Sequence, residues 1–343
     1  MNKKLHVLFI SSWYPSKVFP TNGDFVQRHA EAVHLLHNVS VLHIVTDKNI
    51  QKTIIDVQII NGIKTYIGYV KHTKNPLKKG ILFFNAYKQI LKKIGTFDII
   101  HLNVLFPFGI FALHQKIFKK RPFIITEHWT DYKHPLSTKI SFIQRFISKK
   151  ITKKANFVCP VSKDLQNSMK LFGLQGNYHP IPNTVDTNFF TVSKEKEKTT
   201  FRIVHISNMV NKQKNITGIL EVISKLQLTI PYFDFLLIGE NSHNYKEISN
   251  NLKINPKNIQ FINHISHDSL VNYLKSADLF ILFSNYENLP CVILEAFSCG
   301  VPVISTKVGG IDEYFPNKFG KLIPPKDEGE LLKEIIHLYD TNL

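Results

Sequence analysis

The chain has little cysteine, few acids in its first half and no long uninterrupted apolar run. Three cysteines occur in 343 residues (Cys159, Cys291 and Cys299), all in apolar or helical surroundings and without metal-ligand spacing. This excludes a disulfide framework and fits a reducing compartment. The most apolar long window, residues 99–113, is broken by His101, Asn103 and Pro107, so no transmembrane helix is expected. The amino terminus is basic, but its apolar run spans only residues 5–10 and lacks a small-residue cleavage site. It reads as a first strand and not as a signal peptide. A cytoplasmic protein, or one peripheral on the inner face of the plasma membrane, is the expectation. There is no Gly-x-Gly-x-x-Gly and no phosphate-loop lysine motif, which disfavours dinucleotide oxidoreductases and kinases. No Asp-x-Asp pair occurs either, so no metal clamp is visible, and neither a metal nor a cofactor is expected.

What is present points to two domains. A chain of 343 residues exceeds the usual size of one domain, and 43% hydrophobic content suffices for packed cores. The net charge of +17 is unevenly spread. Residues 1–185 carry 27 Lys/Arg against 8 Asp/Glu, a surplus of 19; residues 186–343 carry 16 against 18, a deficit of 2. Two domains with different partners follow from that asymmetry. A basic domain could face nucleic acid or an anionic membrane. No aromatic-and-basic module of recognisable spacing supports the first, so no nucleic acid is expected.

Residues 278–313 organise the rest. An apolar run over 278–284 reads as a strand buried on both faces of a parallel sheet. A polar loop follows, then Pro290 opens a helix that runs to Cys299 and stops at Gly300. Pro302 begins the next strand. Loops of this kind sit at the carboxyl edge of an open α/β sheet, where ligands bind. Two acids eight residues apart mark the unit, Glu287 in the loop and Glu295 in the helix. Glu295 lies among Val292, Ile293, Leu294, Ala296 and Phe297, where an unpaired carboxylate is costly. Gly309 and Gly310 can bring backbone N–H groups close to a phosphate. A ligand with vicinal hydroxyls and phosphates satisfies all of this; the alternative is a surface Glu287 and a Glu295 held by a salt bridge.

The run S-x-x-E-N-L-P-x-V-x-L-E-A-x-S-x-G-x-P-V-I-S-T-x-x-G-G-I-x-E, from Ser284 to Glu313, resembles the signature of the family 4 glycosyltransferases. The resemblance implies an α/β chain of GT-B fold, two Rossmann-like domains with parallel sheets facing across a cleft. Residues 1–185 would be the acceptor-side domain and 186–343 the nucleotide-sugar-binding domain. It implies retaining transfer from a nucleoside-diphosphate sugar, with UDP or GDP as the nucleotide, to a glycan or lipid-linked acceptor. Surface polysaccharide or lipopolysaccharide assembly is the implied pathway. A GT-B-shaped sugar-nucleotide 2-epimerase and a basic nucleic-acid-binding protein are the alternatives.

Site residues follow from the same resemblance. Glu287 contacts the donor sugar and Glu295 the ribose diol, with Asn288, Leu289, Pro290, Gly309 and Gly310 lining the donor. Residues 205–215 stand where the family has a glycine, an arginine and, six residues later, a lysine that hold the diphosphate. Lys214 matches the lysine, whereas Asn208 stands at the arginine position, so one phosphate-neutralising charge is missing or comes from a neighbour such as Lys212. Residues 11–24 and the helix after them (25–37) resemble the opening of bacterial family 4 enzymes, placing Gly23 by the diphosphate and Asp24 on the acceptor side. His128, just past a strand over 123–126, is assigned to the reacting centre, and His264–Ile265 to the nucleobase. The chain ends one helix after residue 328, where the family continues with a terminal helix; a short variant or a truncation is implied.

Elsewhere, strands are expected over residues 5–10, 39–45, 53–58, 63–69, 97–102, 156–161, 201–206, 235–239 and 259–261. Helices are expected over 142–154 and 163–172, and a polar loop over 194–200. Residues 71–94 and 142–154 mix lysines with apolar residues. Each reads as a helix that either covers a sheet or lies on an anionic membrane.

Overall fold

The computed structural model describes residues 3–192 and 200–341; residues 194–199 of the expected polar loop lie outside the described residues. The chain divides into two compact units, Met1–Thr184 and Val185–Leu343.

In the first unit, β1 (His6–Ser11), α1 (Asp24–His34), β2 (Asn38–Asp47), β3 (Ile54–Ile60) and β4 (Ile63–Lys71) come first. After them come α2 (Pro76–Ile94), β5 (Ile99–Asn103), α3 (Gly109–Lys119), β6 (Phe123–Glu127), α4 (Phe142–Lys154), β7 (Phe157–Pro160) and α5 (Lys163–Leu171). The sheet order is β3-β4-β2-β1-β5-β6-β7. All pairings are parallel except β3 with β4, which is antiparallel and so departs from an all-parallel expectation. The reason is local: Asn61 and Gly62, both at positive φ, turn the chain straight back between the two strands. Hydroxyl and amide caps fix the helix starts, with Asn75, Ser141 and Ser162 accepting from the N–H groups of Lys78, Gln144 and Leu165.

The second unit runs β8 (Phe201–Ile206), α6 (Asn211–Lys214), α7 (Ile216–Leu226), β9 (Phe233–Ile238), α8 (Lys246–Asn251), β10 (Ile259–Ile262) and α9 (His267–Ser276). It closes with β11 (Leu279–Leu282), α10 (Cys291–Ser298), β12 (Val303–Thr306), β13 (Gly320–Ile323) and α11 (Glu328–Asp340). Its sheet order, β10-β9-β8-β11-β12-β13, is parallel throughout. Helices cover both faces: α7 and α11 pack with Ile203, Phe235 and Ile281, while α9 and α10 pack with Val204, Leu236 and Phe280. Double coverage is why β11 reads as an unbroken apolar run. The strand order reverses between β8 and β11, so the loops after these two strands flank the topological switch point.

Five elements had no counterpart in the sequence reading, among them the short helices α6 and α8. Helix α3 was hidden inside an apolar window that the structure divides into β5 and a helix. Helix α7 buries Ile216, Ile219, Leu220, Ile223 and Leu226 and keeps Thr217, Glu221, Ser224 and Lys225 off the buried face, so its amphipathic spacing was present in the chain and was passed over. Strand β13 has only four residues.

The basic helices differ from each other. Helix α2 buries Ala86, Tyr87 and Ile90, as a sheet-covering helix does, and leaves Leu77 and Ile81 exposed. Helix α4 buries only Ser148, Ile151 and Thr152; Phe142, Ile143 and Phe146 are 81%, 70% and 50% exposed.

Candidate active site

In the second unit, three loops at the carboxyl ends of the strands are tied to one another. After β8, residues 207–215 approach the loop after β11. Asn285 donates its backbone N–H to the Gln213 carbonyl at 2.7 Å and its side-chain amide to the Lys212 carbonyl at 3.0 Å. The loop after β12 joins through Gly310 N–H, which donates to the Asn288 carbonyl at 2.9 Å. Within this cluster Lys214 Nζ donates to Glu287 Oε1, and Gln213 Nε2 donates to Glu287 Oε2 at 3.2 Å. Lys214, Glu287, Asn288 and Leu289 are all buried. Glu287 is therefore not a surface acid, and its partner is the lysine assigned to the diphosphate.

Pro290 caps α10 and carries the chain from the Glu287 loop into the helix bearing Glu295. Glu295 is buried, with Oε1 at 3.8 Å from His267 Nε2. Gly309 takes a positive φ of 66°, which turns the chain just ahead of the Gly310 N–H. Asn208 is exposed, and its side-chain carbonyl accepts from Val210 N–H at 3.3 Å; Lys212 is likewise exposed.

The loop bearing Asn208 has a support that the sequence reading passed over. His205 is buried in β8, and its Nδ1–H donates to the Ile281 carbonyl on β11 at 2.9 Å. That leaves Nε2 to accept from Ser207 Oγ at 2.9 Å. Burial pushes the His205 pKa down to about 3, so the ring stays neutral. Gly239 makes room for the same loop: a Cβ there would stand 2.0 Å from the Ser207 carbonyl oxygen.

In the first unit, Gly23 caps α1 in the left-handed region at φ 83°, and a Cβ would stand 2.5 Å from the Trp13 carbonyl. Only glycine allows that approach, after which Asp24 becomes the first residue of the helix. His128 follows β6 and is buried. Its ring packs on Phe25 at 4.3 Å and meets His29 edge-on at 5.3 Å. Burial, then the neighbouring His29 and His101, hold its pKa well below 6.5, against a hydrogen bond with the Asn183 side chain. A neutral ring that hydrogen-bonds, rather than a cation, is what this pocket presents. The same Asn183 Oδ1 lies 3.2 Å from His29 Nε2.

Glu127 organises the His128 loop and was also missed. Its Oε1 accepts from the His128 and Trp129 N–H groups at 2.9 and 3.0 Å, and its Oε2 from Leu105 N–H at 2.9 Å. Burial pushes its pKa up to about 7, with those bonds opposing the rise. An acid directly after the apolar strand 123–126 was the available signal, and its neighbour His128 drew the attention instead.

The second unit thus sets a buried lysine–glutamate pair and a buried, helix-borne second glutamate beside the switch point of a Rossmann-type sheet. Comparison with known proteins bears on this directly. The family description Glycosyltransferase Family 4 matches residues 26–189, and Glycosyl transferases group 1 matches residues 188–342. The chain belongs to glycosyltransferase family 4. Among relatives, the putative teichuronic acid biosynthesis glycosyltransferase TuaC of Bacillus subtilis is 26% identical over 364 residues, covering 98% of this chain and 89% of that protein. An uncharacterized glycosyltransferase of Methanocaldococcus jannaschii is 27% identical over 280 residues, 79% of this chain and 75% of the other. The fold matches sucrose-phosphate synthase from Thermosynechococcus elongatus (TM-score 0.75, 18% identity, 98% of this chain and 90% of that one). It also matches Anabaena HepE in complex with UDP-glucose (TM-score 0.73, 16% identity, 98% and 90%).

Proposed function

We propose that this glycosyltransferase moves a sugar, with retention, from a nucleoside-diphosphate sugar to a glycan or lipid-linked acceptor in surface polysaccharide assembly. The buried Lys214–Glu287 pair beside the α10 entrance carries the reading. Glu295 holds the ribose diol, Glu287 contacts the donor sugar, and Asn288, Leu289 and Pro290 line it. Lys214 and the Gly309 backbone N–H meet the diphosphate charge without a metal, whereas the Gly310 N–H, expected there too, is taken up by the Asn288 carbonyl; the family arginine has no substitute at Asn208, whose side chain is engaged with its own loop. The bond from the anomeric carbon to the phosphate oxygen breaks through an oxocarbenium-like state. The acceptor oxygen bonds on the same face, and its proton passes to the departing phosphate oxygen. In the first unit Gly23 shapes the turn that serves the diphosphate, while Asp24 and neutral His128 serve the acceptor. TuaC, named for teichuronic acid biosynthesis, supports a polyanionic surface glycan as product.

The acceptor is met at an anionic membrane surface through the first unit. Exposed Phe142, Ile143 and Phe146 on α4, beside Arg145, Lys149 and Lys150, support that reading. No helix of the described residues is long and apolar enough to cross a membrane.

A thermal-shift series with UDP, GDP, ADP and CMP, without added metal, tests the donor assignment. Stabilisation by one nucleoside diphosphate, reduced in Glu295→Ala, is expected; no rise with any of them overturns it.

A further inference from the structure

Glu295 is only 2% exposed, and the imidazole at 3.8 Å belongs to a residue that no motif marks. His267 is the first residue of α9, whose start is capped by Ser266 Oγ accepting from Ser269 N–H at 3.2 Å. Its ring is held on two sides. Phe189 stacks on it at 5.3 Å and 14°, and Phe190 meets it edge-on at 5.1 Å and 74°. The Phe190 carbonyl accepts from Ser298 Oγ, one turn beyond Glu295 on α10. Imidazole, aromatic pair and α10 thus close a ring of contacts around one carboxylate.

A carboxylate that accepts two vicinal hydroxyls must present both oxygens in the plane of the diol. The terminal torsion of a glutamate is broad, so an unguided carboxylate samples many planes at an entropic cost to binding. An imidazole fixed by two aromatic faces and standing 3.8 Å from one oxygen, within electrostatic reach though longer than a hydrogen bond, narrows that torsion. We infer that His267 is a positioning residue for donor recognition, orienting the Glu295 carboxylate towards the ribose diol. The inference rests on the assignment of Glu295 to the ribose, and the experiment separates the two.

The measurement is calorimetric titration of the full chain with the nucleoside diphosphate that stabilises it and with the 3′-deoxy analogue of that nucleotide. Glu295→Ala is expected to abolish the preference for the ribonucleotide. His267→Ala is expected to weaken ribonucleotide binding several-fold, less than the loss of a full hydrogen bond to a charged group because the contact is longer than one, and to leave the 3′-deoxy analogue unchanged. His267→Gln, which keeps an N–H donor, restores most of the loss. The double variant binds as Glu295→Ala does, because the histidine acts only through the carboxylate. If Glu295→Ala keeps the preference, the ribose assignment fails. If it loses the preference but His267→Ala weakens both ligands equally, or if losses add in the double variant, the positioning role is overturned. His267→Gln binding like His267→Ala overturns it too.

Discussion

Lys214 and Glu287, separated by 73 residues, form a buried ion pair that joins the loops after β8 and β11. Neither charge is simply available to a ligand, since each is set by the other. Removing the lysine strands a buried carboxylate beside Gln213. Lys214→Ala should therefore cost ~3–5 kcal/mol of stability to urea and abolish nucleotide binding. Lys214→Met with Glu287→Leu should regain most of the stability and none of the binding. Recovery of binding in the double variant would show that the pair is structural alone.

The Glu127 carboxylate satisfies three backbone N–H groups in two loops. Glu127→Ala leaves all three without this acceptor, those of Leu105 and His128 in buried surroundings, and should lower stability by ~3 kcal/mol. It should also reduce transfer further than His128→Ala does, because both loops move. Unchanged urea unfolding in Glu127→Ala contradicts this account.

Burial pushes the pKa values of His43, His101 and His205 down from 6.5 to about 4, about 3 and about 3. Below pH 6.5 the unfolded chain binds more protons than the folded one, so stability falls as pH falls, over a window reaching down to about pH 3. At pH 5 each ring contributes a loss on the order of 2 kcal/mol. The melting temperature should drop between pH 7 and pH 5, and His205→Asn should flatten that slope. A level profile across this range would falsify the assignment of neutral buried rings.

Phenylalanines on the first two turns of α4 stand in water beside cations. Full-length protein should co-sediment with vesicles containing anionic lipid and much less with neutral ones. Phe142→Ser with Phe146→Ser should weaken the association several-fold without a change in melting temperature, and added salt should weaken it further. Equal sedimentation of this variant and the parent chain removes α4 from the contact.

Much of this architecture was legible in the chain. Glu287, Glu295 and the Gly309–Gly310 pair marked out a candidate site because apolar strands, a helix-opening proline and a stopping glycine framed them within thirty residues, and local chemistry alone sets such features. The burial of Glu287 was legible only in part, since a loop position says nothing of what packs over it. The outward aromatics of α4 ran against the ordinary expectation that a helix turns its apolar face inward.

What the sequence determined by itself was local and periodic: the parallel strands from their unbroken apolar runs, the helix starts from their hydroxyl caps, the turn at Gly23 from the one residue type that fits it. Tertiary structure alone decided the partnerships. Lys214 meets Glu287, and Glu127 ties Leu105 to Trp129, because parallel strands far apart in sequence end side by side at one edge of a sheet; His267 meets Glu295 because α9 and α10 cover the same face of theirs. Coulomb attraction and hydrogen bonding depend on distance in space, and separation along the chain carries no record of it.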